Sequence, residues 1–552
     1  MSQYVRQTRQ TQQVQGTPHN RNTWILVATI LGSSMAFIDS SVVNVALPRL
    51  QVELSASAAS VQWVVEAYSL FLGALILVGG SLGDMFGRKR IFAFGIIVFA
   101  IASILCGLSP NINTLIIARS IQGVGGALLT PGSLSIIRAS ISADQRGKAI
   151  GTWSGFSAIT SALGPVLGGW IVQNASWRWI FFINVPLAIV VLLVLFTHIP
   201  ESKSENTSHR LDWWGAILTT LGLGAVVYGL IDANNNSITN PIVLSCVLGG
   251  IVLLVLFVFV ERRAANPMMP LILFRSRTFT GTNLLTLLLY AGLGGAFYFV
   301  PFNLIGAQGY PATEAGAALL PFTLLSFSLS RWSGGLVARY GSKLPLIIGP
   351  AIAAVGFALF AVPGLGGSYW FTYFPAVIVL GLGMTITIAP LTTTVMGAVE
   401  DRYSGSASGI NNALARVAGL LAIAIFGLFV SATFIHDFNA QLAALHLAPS
   451  VTQQLQAQQG RLVGIVIPNS VQGATRDAVK HAIDQSFLNG FRVAMLIGAG
   501  LALLSAVCSL LFIESPKKIP SNSGEQHIGD NACTLTYAHH DTGKTEVVKA
   551  KG

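Results

Sequence analysis

The stretch GGSLGDMFGRKR, Gly79–Arg90, decides how the chain is read. It holds one aspartate, four glycines and three adjacent cations between two apolar runs, near residues 62–80 and 91–108. Charge concentrated where an apolar chain interrupts itself marks a turn at a membrane surface. Outward from it the composition agrees. Of 552 residues, 53% are hydrophobic and 10% charged, whereas a soluble domain carries roughly 25% charged residues. Fourteen apolar runs, the first near 24–48 and the last near 489–513, compare with the roughly 20 residues that cross a bilayer as helix. The period-two alternation of a membrane β-barrel is absent. The fold class expected is an all-α, multi-pass membrane protein.

The net charge of +11 is explained by position. With the N-terminus inside, Arg6, Arg9, Arg21, Arg88, Lys89, Arg90, Arg138, Arg146, Lys148, Lys203, Arg210, Arg262, Arg263, Arg275, Arg277, Arg339, Lys343, Arg402, Lys517 and Lys518 fall on the inner side. The opposite short loops keep Arg49 and Arg178. That asymmetry places both termini in the cytoplasm and makes nucleic acid a poor second partner. The first apolar run lacks a cleavage site and is expected to stay in the membrane.

Residues 1–22 and 515–552 read as polar cytoplasmic tails. The region 435–488 carries apolar residues at helical spacing, in FNAQLAALHLA and TRDAVKHAIDQSF. Short amphipathic helices on the outer surface are expected there, with a passive connector as the alternative. In the last tail, AHHDTGKT, ending at Thr545, imitates a phosphate loop, but Ala538 replaces its first glycine and neither strand nor helix flanks it. Cys533, His539, His540 and Asp541 read as solvated tail residues. No metal or cofactor is expected.

The opening stretch has an echo. Setting Gly334 against Gly80 aligns GGLVARYGSK with GSLGDMFGRK, so that Gly341 matches Gly87, Lys343 matches Lys89, and Ala338 replaces Asp84. Both copies close an inward-running span, as a parallel internal repeat requires. Eight spans separate them, so a six-span repeat leaves two inserted spans, within 213–260.

Four motifs carry a family resemblance: FIDSSVVNVALP in the first span, GSLGDMFGRKR after the second, ARSIQGVGGA in the fourth and GFSAITSALGPVLGGW in the fifth. In this order they resemble the major facilitator superfamily, in its fourteen-helix drug:proton antiporter branch. The resemblance implies a major facilitator fold of two six-helix bundles plus two central transmembrane helices. The divisions are then 1–22, 23–199, 200–278, 279–514 with the outer loop 435–488, and 515–552. It implies a proton-coupled multidrug exporter of a bacterial inner membrane, a transporter and not an enzyme, monomeric, exchanging small amphipathic or cationic molecules for protons. A periplasmic adaptor in a tripartite pump, a dedicated metabolite exporter and a transport-inactive sensor or scaffold stay open.

Ionisable residues within spans are the candidate site, because charge at bilayer depth costs several kcal/mol and faces the interior. Asp39 lies about 22 Å along an outward-running helix; Glu66 and Arg119 lie about 6 and 10 Å into inward-running ones. All three share the outer layer. By resemblance Asp39 and Arg119 take the family's proton-coupling positions, while Glu66 reads equally as a proton site or an interfacial carboxylate. Gly80, Asp84, Gly87, Arg88 and Lys89 form the expected gating loop, with Asp84 as its latch. Gly164, Pro165, Gly168 and Gly169 form the antiporter motif, expected to seal a helix pair. In the second half Gly306 stands where the family commonly has glutamine. Asn303, Asn411, Asn412 and Arg416 either line the substrate cavity or cross-link helices. Arg331 is expected to snorkel.

Overall fold

The computed structural model describes residues 18–202, 212–236, 239–264, 267, 269–400 and 404–514. The residues Arg6, Arg9, Lys203, Arg210, Arg402, Lys517, Lys518, Cys533, Ala538, His539, His540 and Asp541 lie outside these, as do the side chains of Arg21, Arg146, Lys148, Arg331 and Ala338.

Every regular element among the described residues is helical. In chain order these are α1 (Pro18–Glu53), α2 (Ala58–Phe86), α3 (Arg88–Leu108), α4 (Ile112–Ser140), α5 (Ala143–Asn174), the short α6 (Trp179–Phe182), α7 (Asn184–His198), α8 (Trp213–Asn236) and α9 (Pro241–Arg263). There follow α10 (Arg277–Pro301), α11 (Ala312–Ala317), α12 (Leu320–Tyr340), α13 (Lys343–Phe360), the short α14 (Tyr369–Thr372), α15 (Phe374–Gly397), α16 (Ser404–Ala444), α17 (Pro449–Gln456) and α18 (Gly473–Phe512). Thirteen helices among the described residues are long and apolar enough to cross a membrane. The expected run at 149–173 lies in α5, a further helix of 32 residues.

Local chemistry sets the ends. Ser57 and Asn111 cap α2 and α4 by accepting from the backbone N–H groups of Ser60 and Thr114, which would otherwise lack partners. Gly87 and Gly341 end α2 and α12 with φ of 109° and 75°, a region that favours glycine. Each donates its N–H to the carbonyl four residues back, Gly83 and Val337. The two copies of the repeat thus turn alike.

The region 435–488 corrects the sequence expectation. Instead of separate short helices, α16 and α18 continue outward as single helices of 41 and 40 residues. Only α17 and a 3-10 turn at Gln459–Gly464 are short helical pieces there. The other departures are small. Helix α1 begins at Pro18, inside the expected tail, and the run at 314–338 is broken between α11 and α12.

Packing is densest within each half: α2 and α3 flank α4, α1 lies along α5, and α10, α13 and α16 surround α18. Helix α8 leans on α2 and α16, and α9 packs chiefly on α8. The apolar core records where the halves meet. One buried cluster joins residues of both, yet the first half enters it with outer ends, such as Val42, Leu47, Val61, Leu115 and Trp177, against Phe299, Phe426 and Phe487. The inner ends of the first half, including Ile25, Phe92, Ile136 and Leu195, form a separate cluster. The halves are closed together at the end that carries the 435–488 region.

Candidate functional site

Helices α1, α2, α3, α4 and α7 bring their polar residues to one point in the first half. Arg119 and Asp39 are both buried and form an ion pair, with Arg119 Nη1 2.5 Å from Asp39 Oδ2. The other carboxylate oxygen accepts from Gln122 Nε2 at 2.8 Å and Asn184 Nδ2 at 3.3 Å. Arg119 Nε donates to the Val64 carbonyl at 3.0 Å, and Nη1 also donates to Gln122 Oε1 at 2.7 Å. Its guanidinium lies 4.2 Å from the centre of the Tyr68 ring, a favourable cation–π contact in a desolvated place. Gln122 reaches on to Ser103 at 2.8 Å. Such satisfaction is what lets a buried ion pair persist, since its desolvation exceeds the bare attraction when hydrogen bonds are missing.

Glu66 is placed at the same depth and treated in the opposite way. It is wholly buried, and among the described residues neither carboxyl oxygen has a hydrogen-bond partner. Its side of α2 is fixed by Gln62, one turn earlier, whose Nε2 donates to the Ile423 carbonyl of α16 at 3.3 Å. Tyr298 of α10 is close enough for electrostatic interaction. Glu66 therefore faces the second half, away from Asp39 and Arg119.

Sequence reasoning missed Gln122, Asn184, Ser103 and Tyr68. Gln122 stood one helical turn after Arg119 within ARSIQGVGGA, so its face was available from spacing. Asn184 carried no comparable signal.

Small residues close the outer side. Gly164 and Gly168 of α5 pack on Ser41 and Val42 of α1. A β-carbon at Gly169 would collide with the Ala312 carbonyl, and one at Gly316 with that of Pro165. Beside them Thr313 donates to Gln173 Oε1 at 2.7 Å. The outer loop adds a strap: Gln51 Nε2 donates to the Arg461 carbonyl at 2.7 Å. Leu462 is buried there at φ 52°, ψ −124°, a strained backbone for leucine.

At the inner end, Asp84 pairs with Arg88, Nη2 to Oδ1 2.8 Å, with the carboxylate side chain 47% exposed. Gly80 lies beside Pro131 of α4. Lys89 Nζ donates to the Ile199 carbonyl at 2.6 Å. Glu201, which the sequence did not single out, accepts from the backbone N–H groups of Lys89 and Arg90 at 3.1 and 3.2 Å. This caps α3 where its dipole favours an anion. A β-carbon at Gly87 would meet that carboxylate at 2.7 Å.

In the second half two asparagines are cross-links. Asn303 Nδ2 donates to the Tyr373 hydroxyl at 2.8 Å, and Asn411 Nδ2 to Asn283 Oδ1 and Thr286 Oγ1 at 3.1 and 2.6 Å. Asn412 is exposed and bonded to its own helix at Ser408. Arg416 is half-buried, and its β-carbon is what a β-carbon at Gly73 of α2 would touch, at 3.7 Å.

A family model described as Major Facilitator Superfamily matches residues 29–423. Relatives include the tetracenomycin C resistance and export protein of Streptomyces glaucescens, 30% identical over 88% of this chain and 90% of its own. The puromycin resistance protein pur8 of Streptomyces alboniger is 31% identical over 93% and 95%. The methylenomycin A resistance protein of Bacillus subtilis is 32% identical over 74% and 87%. Among solved structures, a bacterial homologue of the lysosomal transporter Spinster, crystallised inward-facing and unoccupied, matches 90% of this chain and 99% of its own with TM-score 0.62 and 17% identity. A D-xylose-proton symporter matches 90% and 98% with TM-score 0.58 and 15% identity.

Proposed function

The chain belongs to the Major Facilitator Superfamily of membrane transporters, and from that premise we propose that it exports small amphipathic or cationic compounds in exchange for protons. The observation that carries this reading is the pair of enclosed carboxyls in the outer layer. One, Asp39, is neutralised by Arg119, and the other, Glu66, has no hydrogen-bond partner among the described residues. A carboxyl without a cation or donor is tolerated in such a place when it carries a proton, because an isolated buried charge is costly. Glu66 therefore carries the proton while the outer side is closed and releases it when the seam between halves opens to water. Asp39 and Arg119 supply a fixed, satisfied pair that holds α1, α2 and α4 together as that seam moves.

The transport cycle is alternating access between two six-helix bundles, 23–199 and 279–514, with 200–278 adding two spans for fourteen in all. Both termini lie in the cytoplasm of a bacterial inner membrane, and the protein works as a monomer. Resistance and export in the names of the full-length relatives support drugs as cargo. The closed outer side supports an inward-opening state as one of the two. Asp84 then latches the inner side in the other state, its exposed pairing with Arg88 being the released form.

Proteoliposomes test the reading. An imposed pH gradient should drive uphill movement of drug-like compounds in the parent chain and in no vesicle containing Glu66→Gln. Compound movement indifferent to the gradient would overturn proton coupling.

A further inference from the structure

We propose that Arg416 makes the transport cavity a receptor for the acidic group of an amphipathic organic anion. This rests on the export reading above and chooses, of the compound classes it leaves open, the amphipaths that bear a carboxylate or phenolate.

Arg416 is the thirteenth residue of α16, about 18 Å along the helix at roughly 1.5 Å per residue. That is near mid-membrane. A guanidinium at this depth offers five donors, and among the described residues no hydrogen bond or ion pair uses them; Tyr68 is within electrostatic reach. It is nevertheless partly exposed, and its β-carbon lies against α2 at Gly73, where the missing side chain lets the two helices approach. Asn412, exposed one turn earlier, continues the same face of α16.

The nearby carboxylates do not compensate it. Asp39 is committed to Arg119. Glu66 stands seven residues before Gly73 on the same face of α2, about 10 Å away along the helix, and forms no ion pair with it. With Asp39 and Arg119 cancelling and Glu66 protonated, the seam holds one uncompensated positive charge. Leaving it so is unfavourable at membrane depth. An acidic ligand group removes that cost and gains charge-assisted, bidentate hydrogen bonds. A cationic ligand meets repulsion at the same place. The apolar remainder of the ligand then lies along the α2–α16 seam.

The test measures binding of two xanthene dyes of similar shape, anionic fluorescein and cationic rhodamine 6G, to the purified full chain by fluorescence anisotropy. The parent chain should bind fluorescein more tightly. Arg416→Gln should weaken fluorescein binding by about tenfold or more, the loss of a charged hydrogen-bonding partner, and leave rhodamine 6G unchanged or tighter. Arg416→Lys, which keeps the charge, should retain most of the fluorescein affinity and guards against a folding defect in the first variant. Absence of fluorescein binding to the parent, an unchanged fluorescein affinity in Arg416→Gln, or an equal loss for both dyes would overturn the proposal. Because binding needs no gradient, charge discrimination that persists without proton-driven transport would defeat the coupling reading and leave this assignment standing.

Discussion

Asp39 and Glu66 are two carboxyls on adjacent helices in one layer of the membrane, and their surroundings have nothing in common. Asp39 accepts from Arg119, Gln122 and Asn184. Glu66 accepts from no group among the described residues. The difference teaches that depth alone does not assign a role. A carboxylate whose lone pairs are taken up by a cation and two amides contributes to the fold, and removing it strands the cation. A carboxyl enclosed without a partner contributes little to the fold, and in the proposed cycle it responds when the opposite half moves away.

The largest effect should come from breaking the satisfied pair. Asp39→Asn leaves Arg119 buried without its counter-charge and should lower stability by about 3–5 kcal/mol, read as a fall in thermal unfolding temperature in detergent. Adding Arg119→Gln should restore part of it. Parental stability in Asp39→Asn would erase the contrast with Glu66.

Next in size is the functional counterpart. Glu66→Gln should keep the parental unfolding temperature, since no hydrogen bond or ion pair is lost, while abolishing export driven by a pH gradient. A variant that unfolds easily yet still couples would reverse the two roles.

A smaller effect tests the repeat. Gly87→Ala forces alanine to φ 109° beside the Glu201 carboxylate and should cost about 1–2 kcal/mol. The smallest concerns Asp84→Asn, which breaks an exposed pair of about 0–1 kcal/mol. Unfolding should scarcely change while transport slows; full transport would end the latch proposal.

Much of this was legible along the chain. The apolar runs, the cation asymmetry and the match of Gly87 with Gly341 follow from hydropathy and backbone sterics, which act locally. Helical rise placed Asp39, Glu66 and Arg119 in one layer, because rise depends only on residue count. The outer extensions of α16 and α18 were not legible as such, since an amphipathic stretch beside a span reads the same whether it bends away or continues.

What the sequence determined by itself is therefore the class of molecule, the level of Asp39 and Arg119 along their helices and the glycine turns that end α2 and α12. The tertiary structure decided which charges meet. Rotation of α2 turned Tyr68 and the Val64 carbonyl to Arg119, Gln62 to α16 and Glu66 toward Tyr298 of α10. It left Asn411 a cross-link and, among the described residues, Arg416 without an ion pair on the same helix. Those outcomes depend on helix rotation and tilt, which small residues such as Gly169 and Gly316 set by letting backbones touch across the halves, and in lipid such contact replaces hydrophobic attraction as the source of packing.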